Sequence, residues 1–260
     1  SWDWILTVTG IVPTLIFGVA IGNLFLGVPF RYDDTLRMSY EGGLIGLLRP
    51  FPLLVGLVSL SMLMLHGCAW AAMKSEDPIA SRAERLTGWL STLFIGFYAA
   101  SGLWLATSIE RYSISSEVSG SAPSNPLLKT VAVGGNWLAD GALGRWACAI
   151  AFVAILMAAL VAVLARRKHH RSAFLASSIM VMGTLFSAGL ALFPFLMPSS
   201  LEPRSSLTVW DASSSQHTLG LMLIAAIILI PLILAYTTWV YRVLRGRINL
   251  QHVRDSHSLY

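Results

Sequence analysis

The chain has 260 residues, of which 55% are hydrophobic and only 12% are charged. This composition is too apolar for a soluble domain of that length and predicts a polytopic membrane protein. The formal net charge of +5 would suggest a nucleic-acid surface in a soluble protein, but the basic residues here lie in short loops between apolar runs, which is typical of membrane topology.

Six apolar runs are long enough to cross a bilayer as helices, which takes about 20 residues each. We predict an all-α fold: a polytopic transmembrane helix bundle that forms a single domain over residues 1–260. In chain order, the predicted spans are residues 4–26, 51–73, 86–107, 146–165, 172–196 and 218–241. None of these spans contains Asp, Glu, Lys or Arg, which argues against a charged proton relay or a paired-carboxylate site within them.

The second predicted span contains His66, the only histidine of the chain within a span. His66 and Cys68 lie two positions apart, so on a helix their side chains point about 200° apart and a shared metal is disfavoured. We therefore predict that His66 is a neutral, hydrogen-bonded core residue rather than a haem or metal ligand. Cys68 and Cys148 both fall in apolar segments, where we expect small packing residues rather than a disulfide.

Small residues recur at intervals of four in the third and fourth spans. Gly96 and Ala100 show this spacing in the third span, and Ala154, Ala158 and Ala162 show it in the fourth. Residues four apart share a helix face, and small side chains there allow two helix backbones to approach closely. The pattern predicts a tightly packed bundle.

The basic residues predict the orientation of the chain in the membrane. Because the number of spans is even, both ends lie on the same side as the loops at 74–85 and 166–171. That side carries eleven Lys and Arg residues, whereas the opposite side carries seven. The positive-inside rule then predicts that both termini of this chain face the cytoplasm.

The connection between the fifth and sixth spans combines prolines, a serine cluster and a Trp-Asp pair. Prolines remove backbone donors and end regular helix, so we predict a structured turn at a membrane face. Ser213 with Gln216 fits a capping box, and Asp211 would stabilise the positive end of the last helix. The residues predicted to form this structural turn and helix cap are Pro194, Pro198, Ser199, Ser200, Trp210, Asp211, Ser213 and Gln216. We predict no catalytic, metal-ligating or cofactor-binding residue in the chain.

Several separate motifs follow one another along the chain in a recognisable order. They are Gly-Asn-Leu at 22–24, Gly-Val-Pro-Phe at 27–30, Ser-Asn-Pro-Leu at 124–127, the Phe-Pro-Phe-Leu-Met-Pro-Ser-Ser run at 193–200 with Ser-Leu-Thr-Val-Trp-Asp-Ala at 206–212, and a tail with Gly-Arg-Ile at 246–248 and His-Ser-Leu-Tyr at 257–260. Through these motifs the chain resembles subunit II of the bacterial cytochrome bd-type quinol oxidases.

The resemblance implies a role in a respiratory complex. Such oxidases couple quinol oxidation to the reduction of O2 to water, and they take protons from the cytoplasm, which generates a proton motive force without a pump. Haems b and d and the quinol oxidation site belong to subunit I. Subunit II is haem-free, packs beside subunit I as a similarly folded partner, and can hold a structural quinone. On its own, this chain is then expected to be inactive.

The resemblance also implies partners and a location. We expect the haem-bearing subunit I, a small single-helix accessory subunit and membrane lipid as partners, no nucleic acid, and a place in the bacterial cytoplasmic membrane. In the family, about three further membrane helices precede a Trp-Asp-Trp-like segment such as residues 2–4. The chain therefore resembles an amino-terminally incomplete subunit II, and the family's acids for proton entry belong to the preceding helices.

From the residues alone, a small-solute transporter or channel with no redox partner remains an alternative. Pro13 and Pro231 could mark the broken helices of a secondary transporter. Such sites normally combine unwound backbone with polar or charged groups, and the predicted spans contain no charged residue. A haem spectrum and a second large subunit on purification would favour the oxidase, and solute flux by the isolated chain would favour the transporter.

Overall fold

The computed structural model describes residues 2–116 and 124–243. Six helices in this part of the chain are long and apolar enough to cross a membrane, which confirms the predicted polytopic helical bundle. These helices are α1 (Trp2–Leu26), α3 (Pro50–Lys74), α4 (Ile79–Ser108), α5 (Gly141–Arg166), α6 (His170–Leu192) and α7 (Gln216–Val243), and a single-turn helix α2 (Leu44–Leu47) precedes α3. The tail motifs at 246–248 and 257–260 lie outside the described residues.

Several helix ends differ from the predicted spans, and α5 begins at Gly141 rather than at residue 146. The predicted fifth span, 172–196, ran too far, because α6 ends at Leu192, just ahead of Pro194. Proline cannot donate a backbone hydrogen bond and disfavours helical geometry in the residue before it. Helix α4 starts earlier than its predicted span, so Arg82 and Arg85 belong to its first turns. Hydropathy finds the apolar part of a helix and not its polar ends.

Four of the helices form a closed ring. Helix α3 packs against α4, α4 against α5, α5 against α6, and α6 returns to α3, while α1 packs on the outside of α3. The centre of the ring is filled by buried apolar side chains, with Leu65, Phe94 and Met180 completely enclosed. Ala154 and Ala158 are also fully buried, as the small-residue spacing in the fourth span predicts.

Glycine permits the close crossing of α1 and α3. A Cβ added to Gly18 would overlap the backbone of α3 at Val55 and Gly56, and one added to Gly22 would overlap Pro52. Gly96, by contrast, has no neighbour within 4 Å of such an added atom. Within the described chain, therefore, no helix approaches Gly96 closely, because that residue lies on an open face of α4.

Three antiparallel pairs of short strands lie in the connections at one end of the bundle, which we call the outer cap. Strand β1 (Phe30–Tyr32) pairs with β2 (Met38–Tyr40), β3 (Glu110–Ile114) with β4 (Val131–Asn136), and β5 (Phe195–Met197) with β6 (Leu207–Thr208). In register, Phe30 faces Tyr40 and Phe195 faces Thr208. The prediction of an all-α fold missed these pairs.

Helix α7 stands apart from the ring. None of its described residues is buried. Near its end, the ring of Tyr241 packs edge-on against Trp70 of α3, with 6.2 Å between the ring centroids. An apolar helix with this exposure is stable only where lipid or other protein covers it.

Candidate functional site

The predicted proline–serine turn is a tightly bonded part of the outer cap. Pro198 accepts a hydrogen bond from the Val28 backbone N–H at 2.8 Å, and the Ser200 N–H donates to the Val28 carbonyl at 3.0 Å. Ser199 is fully buried; its hydroxyl donates to the Phe30 carbonyl. The turn after α6 is thus joined to the segment that follows α1.

Asp211 forms a buried ion pair with Lys129. Lys129 Nζ lies 2.6 Å from Asp211 Oδ2, and the two side chains are only 3% and 7% exposed. Lys129 also donates to the Pro126 carbonyl at 2.9 Å, and Asp211 Oδ1 accepts the Thr208 N–H at 2.7 Å. The pair connects the loop between α4 and α5 to the segment before α7.

The electrostatic environment of Lys129 is set by two opposed effects. Burial lowers the pKa of the Lys129 ammonium, because it disfavours the charged form. The hydrogen bond and the negative charge of Asp211 act in the other direction and favour the charged form. The ammonium is therefore dependent on its partner, as expected of a charge withdrawn from water.

The structure corrects the predicted helix cap. Helix α7 begins at Gln216, and the partners of Asp211 are Thr208 and Lys129, so Asp211 does not cap that helix. The Ser213 hydroxyl donates back to the Val209 carbonyl instead of bonding forward into α7. Ser215 takes the capping role, since its hydroxyl accepts the Thr218 N–H at 3.4 Å.

Pro194 and Trp210 border a cleft on the outer cap. The cleft has a volume of about 360 Å³ and is also lined by Arg111 and Tyr112. Trp210 packs edge-on against Phe193 with ring centroids 5.8 Å apart. Of the eight predicted turn residues, these two line the cleft, whereas Asp211 and Ser199 are buried and do not line it.

A larger, apolar cavity lies between the helices and opens at the surface of the bundle, where Phe17 and Phe152 of its lining are exposed. Its volume is about 470 Å³, and residues of α1, α3, α4, α5 and α6 line it. Most lining residues are aliphatic or aromatic, and one polar pair stands out: the Tyr98 hydroxyl lies 2.6 Å from the Ser187 hydroxyl. Cavities of a few hundred Å³ with apolar linings and a few convergent polar groups are typical of sites for small apolar ligands.

An aromatic layer separates the cavity from the outer cleft. Trp137 is 1% exposed, meets Phe25 edge-on at 5.3 Å, and packs against Tyr112 at 6.2 Å. Phe25 lines the cavity, whereas Tyr112 lines the cleft. The indole N–H of Trp137 donates to the Glu110 carbonyl at 3.0 Å, which fixes the ring in place. The cavity is thereby closed toward the outer cap.

His66 lies on α3, in the ring of four helices, and its side chain is hydrogen-bonded. Its Nδ1 is 2.8 Å from the Ser177 hydroxyl, and its ring stacks on Phe174 at 5.0 Å. Because Ser177 donates its one proton to the Phe174 carbonyl at 2.7 Å, the geometry favours a hydrogen on Nδ1 of His66. Within residues 2–116 and 124–243, no three His, Cys, Asp or Glu side chains are grouped so that they could hold a metal.

Two features of the site were not predicted from the sequence. Lys129 was counted only as a loop cation, and nothing in the residues around it indicates burial or a partner 82 positions away. Tyr98 and Ser187 lie on different helices, so their pairing depends on how α4 and α6 face one another. The Ser-Asn-Pro-Leu motif at 124–127, which ends two residues before Lys129, was the nearest available signal.

Comparison with known proteins gives a consistent result. Residues 1–244 match the family model for cytochrome bd terminal oxidase subunit II. The chain is 38% identical over 261 residues to a probable cytochrome oxidase subunit 2 of Haemophilus influenzae and, equally, to cytochrome bd-I ubiquinol oxidase subunit 2 of Escherichia coli K12, with 100% of this chain and 69% of each relative covered. It is 22% identical over 249 residues to cytochrome bd ubiquinol oxidase subunit 2 of Bacillus subtilis, with 95% of this chain and 64% of the relative covered.

Proposed function

Because the chain belongs to the cytochrome bd terminal oxidase subunit II family, we propose that it is the haem-free partner of a haem-bearing subunit in a bacterial quinol oxidase. The match over residues 1–244 is the observation that carries this proposal. A role in an oxidase complex also accounts for the exposed apolar surface of α7, which a partner subunit or lipid must cover. The complex oxidises quinol and reduces O2 to water.

We assign the chemistry to the partner subunit. Haems b and d, the quinol oxidation site and the proton uptake that generates a proton motive force are expected there, and the chain described here is expected to be inactive alone. The hydrogen bond between His66 and Ser177 supports this assignment, because the imidazole already serves to join α3 and α6. What this chain contributes is a rigid bundle against which the haem-bearing subunit packs. A small single-helix accessory subunit would complete the complex.

The apolar cavity fits a structural quinone. A quinone combines a long apolar tail with a small polar head, and the cavity offers an apolar lining with one polar pair, Tyr98 and Ser187. The Ser187 hydroxyl donates to the Thr184 carbonyl, and the Tyr98 hydroxyl donates to Ser187. Gly18 and Ala151 are among the small lining residues that leave room for the tail. A bound quinone would stabilise the bundle by filling this space.

Purification tests the proposed function directly. A tagged form of this chain should bring with it a second large subunit, the absorption bands of b- and d-type haem, and quinol-dependent O2 uptake. If the chain purified alone, without haem, and conducted a small solute in vesicles, the transporter alternative would replace the oxidase.

The quinone assignment has a separate test. Ala151→Phe fills the cavity, whereas Ala159→Phe adds the same group to the exposed face of the same helix. We expect mass spectrometry of the lipid extract to find about one quinone per complex in the wild type and in Ala159→Phe, and a loss in Ala151→Phe. Equal quinone content in all three proteins would contradict the assignment.

The same proposal includes an orientation. We place both ends of this stretch of chain, with the segments at 74–85 and 166–171, on the cytoplasmic side. The excess of Lys and Arg on that side supports this orientation.

A further inference from the structure

The end of the bundle opposite the outer cap, which we call the inner end, carries an unbalanced charge. Among the described residues it holds eight Lys and Arg against four Asp and Glu, a formal net of +4, whereas the outer end holds seven of each. The inner cations are Lys74, Arg82, Arg85, Arg166, Arg167, Lys168, Arg171 and Arg242. The two ends therefore differ in charge as well as in structure.

The charges at the two ends also differ in how they are paired. At the outer end, Glu41 pairs with Arg31 at 2.7 Å, Glu202 pairs with Arg204, and Asp211 pairs with Lys129. At the inner end, Glu84 pairs with His170 at 3.4 Å. No ion pair to Arg82, Arg85 or Arg167 occurs within the described ranges, and all three side chains are exposed. Within that part of the chain, their charge is therefore not balanced by a carboxylate.

The contact between Glu84 and His170 brings two basic segments together. His170 is the first residue of α6 and directly follows the basic turn that begins at Arg166, while Glu84 lies between Arg82 and Arg85 on α4. This contact therefore places the turn beside the first turns of α4. The result is one patch of positive charge rather than two separate ones.

The patch continues into an apolar stripe on α4. Arg82, Arg85, Trp89 and Leu93 follow one another at helical spacing, and Trp89 and Leu93 are 75% and 44% exposed. Cations at the level of phosphates, a tryptophan at the interface and an aliphatic side chain below match the layers of a bilayer leaflet. A soluble acidic protein would match the arginines but not the exposed apolar residues beneath them.

We propose that Arg82, Arg85 and Arg167 bind the headgroups of anionic phospholipids, whose acyl chains lie along Trp89 and Leu93. The ligand is an anionic phosphodiester lipid of the surrounding bilayer. The proposal rests on the membrane insertion of the proposed function and not on its oxidase chemistry. Each cation near an anionic surface strengthens binding roughly fivefold, so removing three should weaken it on the order of 100-fold.

The test measures retained lipid by native mass spectrometry of the protein purified with any subunits that accompany it. The probes are phosphatidylglycerol and phosphatidylcholine, titrated separately. The variant Arg82→Gln/Arg85→Gln/Arg167→Gln is compared with Arg37→Gln/Arg49→Gln/Arg145→Gln, which removes three exposed arginines from the outer end. We expect the wild type and the outer variant to prefer phosphatidylglycerol and the inner variant to lose that preference.

A lysine variant and a phosphate competition complete the test. Replacing the same three inner arginines by lysine keeps the charge and should keep the preference, and its thermal unfolding midpoint should match the wild type in phosphatidylcholine. The proposal would be overturned if the inner glutamine variant bound phosphatidylglycerol as well as the wild type does. It would also be overturned if both glutamine variants lost the preference for phosphatidylglycerol equally, or if the lysine variant lost it. Displacement of the lipid by inorganic phosphate at matched ionic strength would also overturn it, because the ligand would then be the free anion. The number of bound lipids does not depend on haem, so the lipid result can still be interpreted if the oxidase assignment fails.

Discussion

At the scale of single residues, Lys129 and Asp211 show how a charge is held away from water in the outer cap. Each would cost several kcal/mol to bury alone. The pair is satisfied by its own 2.6 Å contact and by backbone groups, the Pro126 carbonyl for the ammonium and the Thr208 N–H for the carboxylate. The pair therefore fixes one geometry of the cap, since any other leaves a buried charge without its partners.

Removing one partner of this pair should be more damaging than removing both. We expect Lys129→Met to lower the free energy of unfolding by about 3–5 kcal/mol, because the Asp211 carboxylate is left buried and unpaired. The double variant Lys129→Met/Asp211→Leu should recover much of that loss. The measurement is the thermal unfolding midpoint of the purified complex, with the amount of the chain in membranes as a second readout.

The exposed pair Arg31–Glu41 supplies the control. Its side chains are 59% and 47% exposed, and Arg31→Met should cost no more than about 1 kcal/mol. If Lys129→Met were as mild as Arg31→Met, the buried pair would not hold the cap together.

His66 offers a second test at this scale. His66→Gln keeps a hydrogen-bond donor for Ser177 but cannot ligate iron. We expect unchanged haem content and an unchanged reduced-minus-oxidised difference spectrum, with a stability loss of about 1 kcal/mol or less from the altered hydrogen bond. Loss or displacement of a haem band in this variant would place a haem ligand on this chain and contradict the proposed division of labour.

At the scale of elements, the packing of α1 on α3 depends on two glycines of α1. Gly18 and Gly22 face backbone atoms of α3 so closely that no Cβ fits between them. Without a hydrophobic driving force between helices in lipid, such close van der Waals contact is a main source of association. The crossing should therefore be sensitive to a single methyl group.

Gly18→Ala is expected to destabilise the protein by about 1–3 kcal/mol, because α1 must move away from Val55 and Gly56. Gly10→Ala is the matched control on the same helix, since an added Cβ there meets nothing within 4 Å. We expect the control to be neutral or slightly stabilising, because alanine favours helix. Thermal midpoints of the two variants compared with the wild type decide the question, and equal effects would show that the crossing tolerates a wider spacing.

The elements also show where reasoning from the sequence succeeds. The length of an apolar run is set by the bilayer, so all six membrane-crossing helices could be predicted, and Pro194 correctly indicated an end to α6 near that point. The strands of the outer cap could not, because β5 and β6 are three and two residues long and their pairing is decided by the turn between them. Asp211 was assigned to the nearest helix, whereas its partner lies in a loop distant in sequence.

At the scale of the whole molecule, the two ends of the bundle are built for different surroundings. The outer end is a folded layer of hairpins with acids that pair with cations, and it closes the apolar cavity with Trp137 and its aromatic neighbours. The inner end has short turns and exposed arginines. The positive-inside rule depends on the charge of short loops, so the inner end should be the cytoplasmic one.

Accessibility of engineered cysteines tests that orientation. In a background with Cys68 and Cys148 replaced by alanine, Asp34→Cys labels an exposed site on the outer cap and Arg167→Cys an exposed site at the inner end. A membrane-impermeant maleimide added to spheroplasts should modify Asp34→Cys at once and Arg167→Cys only after the membrane is opened. Positions 34 and 167 lie at opposite ends of the bundle, so in any single orientation only one of the two cysteines faces the outside of the membrane. Labelling of Arg167→Cys but not Asp34→Cys in intact spheroplasts would reverse the topology and place the hairpin layer, with its buried Lys129–Asp211 pair, in the cytoplasm.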